Sequence, residues 1–275
     1  MIYLYQIYYD DKTKEKVSNR CIGLDNSNPP IPGWFEFFPI LDKLTSLNLV
    51  KEYYYGFLSP KFESKTGVHP DQLYDIVNAQ RHKYEVFISN YSWDQTGFFK
   101  NAWEQGDFWH PGLKDMTQKF INHVGLDVSL DQLIGCKFNT VASNYIVANG
   151  DFWTKWQGLA LAFIQYMRRT EGGECLFSKS VPYAHKNNNQ RLGVFIQERF
   201  ASLLLTLNNY KTSVFDEHIP PLIFEPIFLN TAANIQVLKV CDLLKQYYLE
   251  SQDPRFIEAW DSLRTGVLLN PAIKA

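Results

Sequence analysis

The sequence predicts an α/β protein whose mixed sheet, flanked by helices, gives way to a helical C-terminal section. Three observations carry this. Strand-like and helix-like segments alternate through the first half of the chain, helical periodicity takes over in the second half, and YEVFISN (84–90) is almost continuously apolar. Such a run between polar flanks is the pattern of a central strand covered on both faces.

The elements follow in order. Residues 1–9, MIYLYQIYY, are rich in Ile, Leu and Tyr and form a first strand. GLDNSNPPIPG (23–33) is loop, because Pro and Gly dominate it. WFEFFPILDKLTSL (34–47) has helical spacing interrupted by Pro39, and EYYYGFLS (52–59) is a second strand. KFESKTG (61–67) is a polar loop. Pro70 opens a helix over 69–82, since a first-turn residue needs no N–H. After the third strand at 84–90 come short helices at 112–125 and 128–134, the second capped by Ser129 or Asp131. A strand region spans 136–148 and a long helix 150–169. Residues 170–190 are loop, and 190–207 form one strong helix. A Pro-rich connection at 220–226 leads to two final helices, near 232–250 and 254–266. The expected organisation is a domain over 1–215 with a helical extension over 216–275 packed on it.

At 275 residues the chain can bury a substantial core. Hydrophobic residues at 45 % and charged residues at 20 % are ordinary for a globular protein. A net charge of −2 and pI of about 6.3 give no electrostatic footprint for nucleic acid. No run reaches the ~18 apolar residues of a membrane span. The four cysteines are scattered without a C-x-x-C pair, so neither zinc site nor disulfide framework is indicated. The N-terminus has no basic region of a signal peptide. The expectation is a cytosolic protein, peripheral to a membrane if associated with one. Aromatic residues make up 16 % of the chain, enough for a large core and for stacking on flat ligand faces. G-x-G-x-x-G, G-x-S-x-G, H-E-x-x-H, the P-loop and the EF-hand loop are all missing.

Ligands of open α/β sheets sit outside the carboxyl ends of the strands. That places Asn90, Ser92, Trp93 and Asp94, which leave the third strand, at the ligand edge. The stretch 90–112 continues with Glu104, Asp107 and His110 among Trp93, Trp103 and Trp109. Glu104 and Asp107 are three apart and share a face of a helical turn. A carboxylate beside aromatic walls can have its pKa raised and serve as acid or base, and His110 titrates near neutrality. The plain alternative is a solvated loop anchored by a Trp. In 190–207 an apolar stripe carries Arg199, flanked by Glu198, as either an internal ion pair or part of a site. Asn144 and Tyr145 are polar groups at a strand, while Asn149 and Asp151 suit a helix cap. Lys61 and Lys65 suit an anion or a plain surface loop. Glu36, flanked by aromatics, suits a structural or a functional role.

YYYGFLSPKF (53–62), NAWEQGDFWHPG (101–112), SNYIVANGDFW (143–153) and QRLGVFIQERF (190–200) resemble motifs of bacterial GT-A-like glycosyltransferases of surface polysaccharide synthesis. The resemblance spans about residues 1–210 and leaves out the last helices. It implies a Rossmann-like GT-A-type sheet, a nucleotide-sugar donor at its carboxyl edge, and a glycan or lipid-linked glycan acceptor. It implies Glu104, Asp107 or Glu198 as the base for the acceptor hydroxyl, and His110, Arg191 and Arg199 as cations for the diphosphate. Asn90, Ser92, Trp93, Asp94, Asn101, Trp109 and Asn144 would then contact donor or acceptor. Most such enzymes hold Mn²⁺ or Mg²⁺ on a D-x-D motif. This chain has none, and Asp94 in SWDQ is the one carboxylate offered there. A glycoside hydrolase with paired carboxylates and a non-catalytic carbohydrate-binding or assembly protein are the rival expectations.

Overall fold

The computed structural model describes residues 1–89, 92–171, 174–183, 186–215 and 227–269. In chain order the elements are β1 (Ile2–Tyr8), α1 (Asp11–Lys14), β2 (Cys21–Asp25), α2 (Phe37–Ser46), β3 (Tyr54–Leu58), α3 (Phe62–Thr66) and α4 (Pro70–Gln80). Then come β4 (Val86–Ile88), α5 (Trp93–Phe98), α6 (Ala102–Trp109), α7 (Leu113–His123), β5 (Ile146–Asn149) and α8 (Gly150–Met167). Two small ribbons follow, β6 (Thr170–Glu171) with β7 (Glu174–Cys175) and β8 (Ser180–Tyr183) with β9 (Lys186–Arg191). The chain continues through α9 (Leu192–Gln197), α10 (Phe200–Leu207), β10 (Thr212–Val214), α11 (Ala232–Ser251) and α12 (Pro254–Arg264).

Six strands form one mixed sheet in the order β10-β4-β5-β3-β1-β2. All run parallel except β5, which is antiparallel to both of its neighbours. Side chains alternate between the two faces, as a period of two requires. Tyr5, Ile7, Tyr55, Phe57, Val86, Ile88, Ile146 and Ala148 point into a core shared with α2, α7, α8 and α10. Leu4, Tyr54, Leu58, Phe87, Tyr145 and Val147 point into a second core with α3 and α4. Burial of both faces explains why the central strands are apolar throughout. Gly56 in β3 faces Val147 Cγ2 and Leu4 Cδ2, which would lie 2.8 and 3.0 Å from an added β-carbon, so the strands interlock there.

A third apolar cluster joins α5 to the C-terminal hairpin α11–α12 through Phe99, Ile227, Phe228, Leu238 and Val267. Lys245 of α11 is fully buried and donates from Nζ to the carbonyls of Thr96 and Phe99, the latter at 2.7 Å. Trp260 Nε1 of α12 donates to Gly97 O at 2.9 Å. The carbonyls that α5 leaves open at its C-terminus are thus taken by donors 146 to 163 residues away, a cationic one among them, as the helix dipole favours.

Several expected elements differ. β2 (Cys21–Asp25) runs into the expected loop 23–33, over residues 23–25. It is a half-exposed edge strand whose Gly23 and Asp25 blur the alternation. The loop expected at 61–67 contains α3, closed by Gly67 in the left-handed region (φ +69). Pro39 lies in the first turn of α2 rather than interrupting it. The helix expected at 128–134 is a series of turns. In the strand region 136–148 only 146–148 belong to a strand, β5, because Asn139 folds the preceding segment back by accepting from Cys136 N at 2.7 Å. The expected loop 170–190 carries the two ribbons, and the Pro-rich connection 220–226 lies outside the described residues. The single helix expected over 190–207 is two helices, broken at Glu198 and Arg199.

Candidate functional site

The five parallel strands end along one edge of the sheet, where β5 begins. Polar side chains collect there because the strand ends leave the apolar cores. Ser59, just after β3, meets the hydroxyl of Tyr145 at 2.5 Å, and both are buried. Tyr9, just after β1, faces Glu36 and Asn26. Burial comes first among the causes that push the Tyr9 phenol far up, followed by the Glu36 charge. Asn26, buried at the end of β2, donates from Nδ2 to Phe35 O at 3.0 Å.

The segment 191–199 explains its own composition residue by residue. Arg191 caps the entry to α9, donates from Nη1 to Phe177 O at 3.0 Å and lies over the Phe177 ring. Gly193 is bare because a β-carbon would stand 2.5 Å from the Trp34 ring. Phe195 stacks on His110 with centroids 3.5 Å apart and planes 12° apart. Arg199 folds back: Nε donates to Ala102 O at 2.8 Å, Nη1 to Phe195 O at 2.5 Å and Nη2 to Gln105 Oε1 at 2.6 Å. Its guanidinium lies against Gly106. The tight turn at Arg199, whose N–H reaches Ile196 O at 3.0 Å, separates α9 from α10 and leaves Glu198 at the break.

Glu198 is half-buried, and no hydrogen bond from a described residue reaches its carboxylate. Burial raises its pKa. The cations of Arg199 and then Lys65 oppose that rise, and the charge of Glu36 adds to it. A carboxyl held above its usual range retains a proton closer to neutrality than an ordinary glutamate does. Lys65 of α3 brings its Nζ to 3.3 Å from Ser143 Oγ and over the Tyr145 ring. Next to Glu198, Gln197 is buried and accepts from Asn144 Nδ2 at 3.1 Å. One neighbourhood therefore gathers Glu36, Lys65 and Glu198, with Tyr9 and Tyr145, from five separate parts of the chain.

The stretch 90–112 is built differently from what its composition suggests. Asn90 lies outside the described residues. Ser92 begins α5 with its carbonyl accepting from Thr96 N at 2.9 Å, and Trp93 packs on the C-terminal cluster. Asn101 is buried. It caps α6 by accepting from Trp103 and Glu104 N–H, and donates to Leu130 O and Leu133 O. Glu104 accepts from Lys100 N–H and pairs with Arg264 of α12 at 3.1 Å. Asp107 accepts from the N–H groups of Gly112 and Lys114, both at 3.0 Å, at the start of α7. Trp109 donates to Gln95 Oε1 at 3.1 Å. The carboxylates of Glu104 and Asp107 thus tie helices together and do not join Glu198. His110 is buried and approaches it through Phe195, three residues before Glu198.

Reasoning from sequence passed over Tyr9 and left Lys65 and Glu36 open between a functional and a structural role. Their signal was position: Tyr9 and Lys65 follow strands that end at the ligand edge, and Glu36 follows the loop after β2.

A divalent cation on a diphosphate needs convergent hard ligands. Asp94 is fully buried in the first turn of α5, and among the described residues no three His, Cys, Asp or Glu side chains converge. The chemistry below is derived from side chains alone. No helix among the described residues is long and apolar enough to cross a membrane. Comparison with family models, with curated proteins and with solved structures finds no match to this chain.

Proposed function

We propose that the protein transfers a sugar from a nucleotide-sugar donor to the hydroxyl of a glycan acceptor at the carboxyl edge of its sheet. The observation that carries this reading is the half-buried carboxyl of Glu198 at that edge, whose proton affinity burial raises while the charges of Arg199 and Lys65 oppose the rise. The mixed sheet with one inserted antiparallel strand supports the GT-A-type resemblance, and the motif of residues 191–199 is the part of that resemblance that builds the site.

The chemistry needs two things: removal of a proton from the acceptor hydroxyl, and stabilisation of the charge that develops on the departing diphosphate. Glu198 accepts the proton as the acceptor oxygen attacks the anomeric carbon. The bond from that carbon to the diphosphate oxygen breaks, and the electron pair leaves with the diphosphate. Lys65 supplies positive charge to it, as cations do for transferring phosphates. Arg191 is a second cation, its Nε 3.5 Å from where a β-carbon on Gly33 would stand, in the loop that carries Phe35.

Glu36 favours a second reading. Two carboxyls in one neighbourhood, one raised in proton affinity partly by the other, also suit acid–base hydrolysis of a glycoside. Thermal unfolding with a panel of nucleoside diphosphates and their sugar conjugates separates the two, since a ligand of the folded state raises the midpoint. A nucleoside diphosphate that raises it supports transfer. Stabilisation by free oligosaccharides alone moves the assignment to hydrolysis.

A further inference from the structure

Four non-glycine residues among the described ones have positive φ, and three of them border this site: Phe35 at +46°, Ser143 at +55° and Asn144 at +55°. For a bulky aromatic this conformation is a true outlier, because its β-carbon crowds the backbone. Residues held in such regions cost about 1–3 kcal/mol each and persist where the surroundings over-determine them, often at ligand sites.

Phe35 is over-determined. Buried Asn26 fixes its carbonyl. The residue before it is committed, Trp34 packed on Phe177 with centroids 4.7 Å apart and against Gly193. Yet the Phe35 ring is 44 % exposed, so the strain brings no burial of a large apolar side chain in return. Trp34 packs against Gly193 of α9, and at the far end of that helix Asn144 is 4 % exposed, its Oδ1 without a hydrogen-bond partner among the described residues although Nδ2 is held by Gln197. A buried acceptor left open costs about 1–3 kcal/mol, and a ligand hydroxyl would remove that cost. An exposed aromatic face and an open acceptor, both held under strain on segments packed against the helix that leads into Glu198, match the two surfaces of a pyranose: an apolar C–H face and a rim of hydroxyls.

We propose that Phe35 is the stacking wall and Asn144 the hydrogen-bond acceptor of a subsite for the transferred pyranose. The assignment rests on the transferase reading, in which the sugar must lie next to Glu198. It also accounts for the strain, since Gly at position 35 would relieve it and lose the wall.

The test measures Kd for a panel of nucleoside diphosphate sugars and for the matching free nucleoside diphosphates, with wild type, Phe35→Gly, Phe35→Tyr and Asn144→Gly, and records each melting midpoint. Wild type is expected to prefer the sugar conjugate over the free diphosphate by on the order of tenfold. Phe35→Gly is expected to keep or raise the midpoint and abolish the preference, Phe35→Tyr to retain it, and Asn144→Gly to reduce it. Retention of the full preference by Phe35→Gly overturns the proposal while leaving the transferase reading in place. If wild type binds no nucleotide, that reading falls, and free oligosaccharides are measured with the same variants. Binding lost in Phe35→Gly then sustains the wall, and binding that is absent or unaffected overturns it.

Discussion

The guanidinium of Arg199 lies against the bare Cα of Gly106, where a β-carbon would stand 2.5 Å from Nε and 2.7 Å from Cζ. This contact locks α6 to the break between α9 and α10 and so fixes where Glu198 emerges. Gly106→Ala is expected to force Arg199 off its three acceptors and to cost about 1–3 kcal/mol, the range for overpacking a tight site. Urea unfolding measures the loss, and ligand affinity should fall with it. An unchanged midpoint would mean that the clamp is slack.

Transfer should depend on pH through Glu198. The base works only when ionised, so the rate falls as pH drops through its pKa, and the acid limb should lie above the ordinary carboxylate range. The neighbours give signs. Glu36→Gln removes a negative charge that raises this pKa, so the limb should move to lower pH. Lys65→Met removes a positive charge that lowers it, so the limb should move to higher pH. The pH profiles of the two variants check both directions, and shifts of the same sign would contradict the arrangement.

Lys245 makes stability itself pH-dependent. Burial lowers its pKa from 10.5 to about 8, with Asp242 as the largest opposing influence. The folded state therefore releases this proton first, and between about pH 8 and 10.5 the unfolded state binds more protons. Stability rises with pH across that window by a contribution of about 3 kcal/mol at most. Subtracting the unfolding free energies of Lys245→Met from those of wild type, pH by pH, isolates this slope. A flat difference would show that the lysine titrates alike in both states.

Glu104→Gln and Asp107→Asn separate helix anchoring from chemistry. Glu104 pairs with partly exposed Arg264, and Asp107 accepts from two backbone N–H groups. Each substitution should cost about 0.5–2 kcal/mol, the scale of a cap or partly exposed ion pair. Neither should shift the acid limb of the rate profile. Loss of that limb in either variant would return the base role to the loop.

The sheet-and-helix alternation was legible because both cores demand apolar residues at fixed periods. β1, β3, α4 and α8 carry that demand in their own sequence. β2 and β10 do not, being half-exposed edge strands with too few buried positions to set a pattern. The break at Glu198–Arg199 was hidden because the apolar stripe runs on through it. What splits the helix is the Arg199 side chain bonding to Ala102 and Gln105, almost a hundred residues earlier. Carboxylates were the visible signal in 90–112, yet those of Glu104 and Asp107 serve backbone N–H groups and a distant arginine. The site was legible only in part, at Glu198, His110, Asn144 and Arg191, because Tyr9, Glu36 and Lys65 join it through strand order.

The most direct test measures nucleoside diphosphate release by wild type and Glu198→Gln, with the donor that the binding panel identifies and a glycan acceptor. Both proteins should bind the donor with similar Kd, and the variant should lose about 10²–10⁴-fold in rate, the scale of general-base catalysis. Release by Glu198→Gln at the wild-type rate would contradict the role of Glu198 and the mechanism built on it.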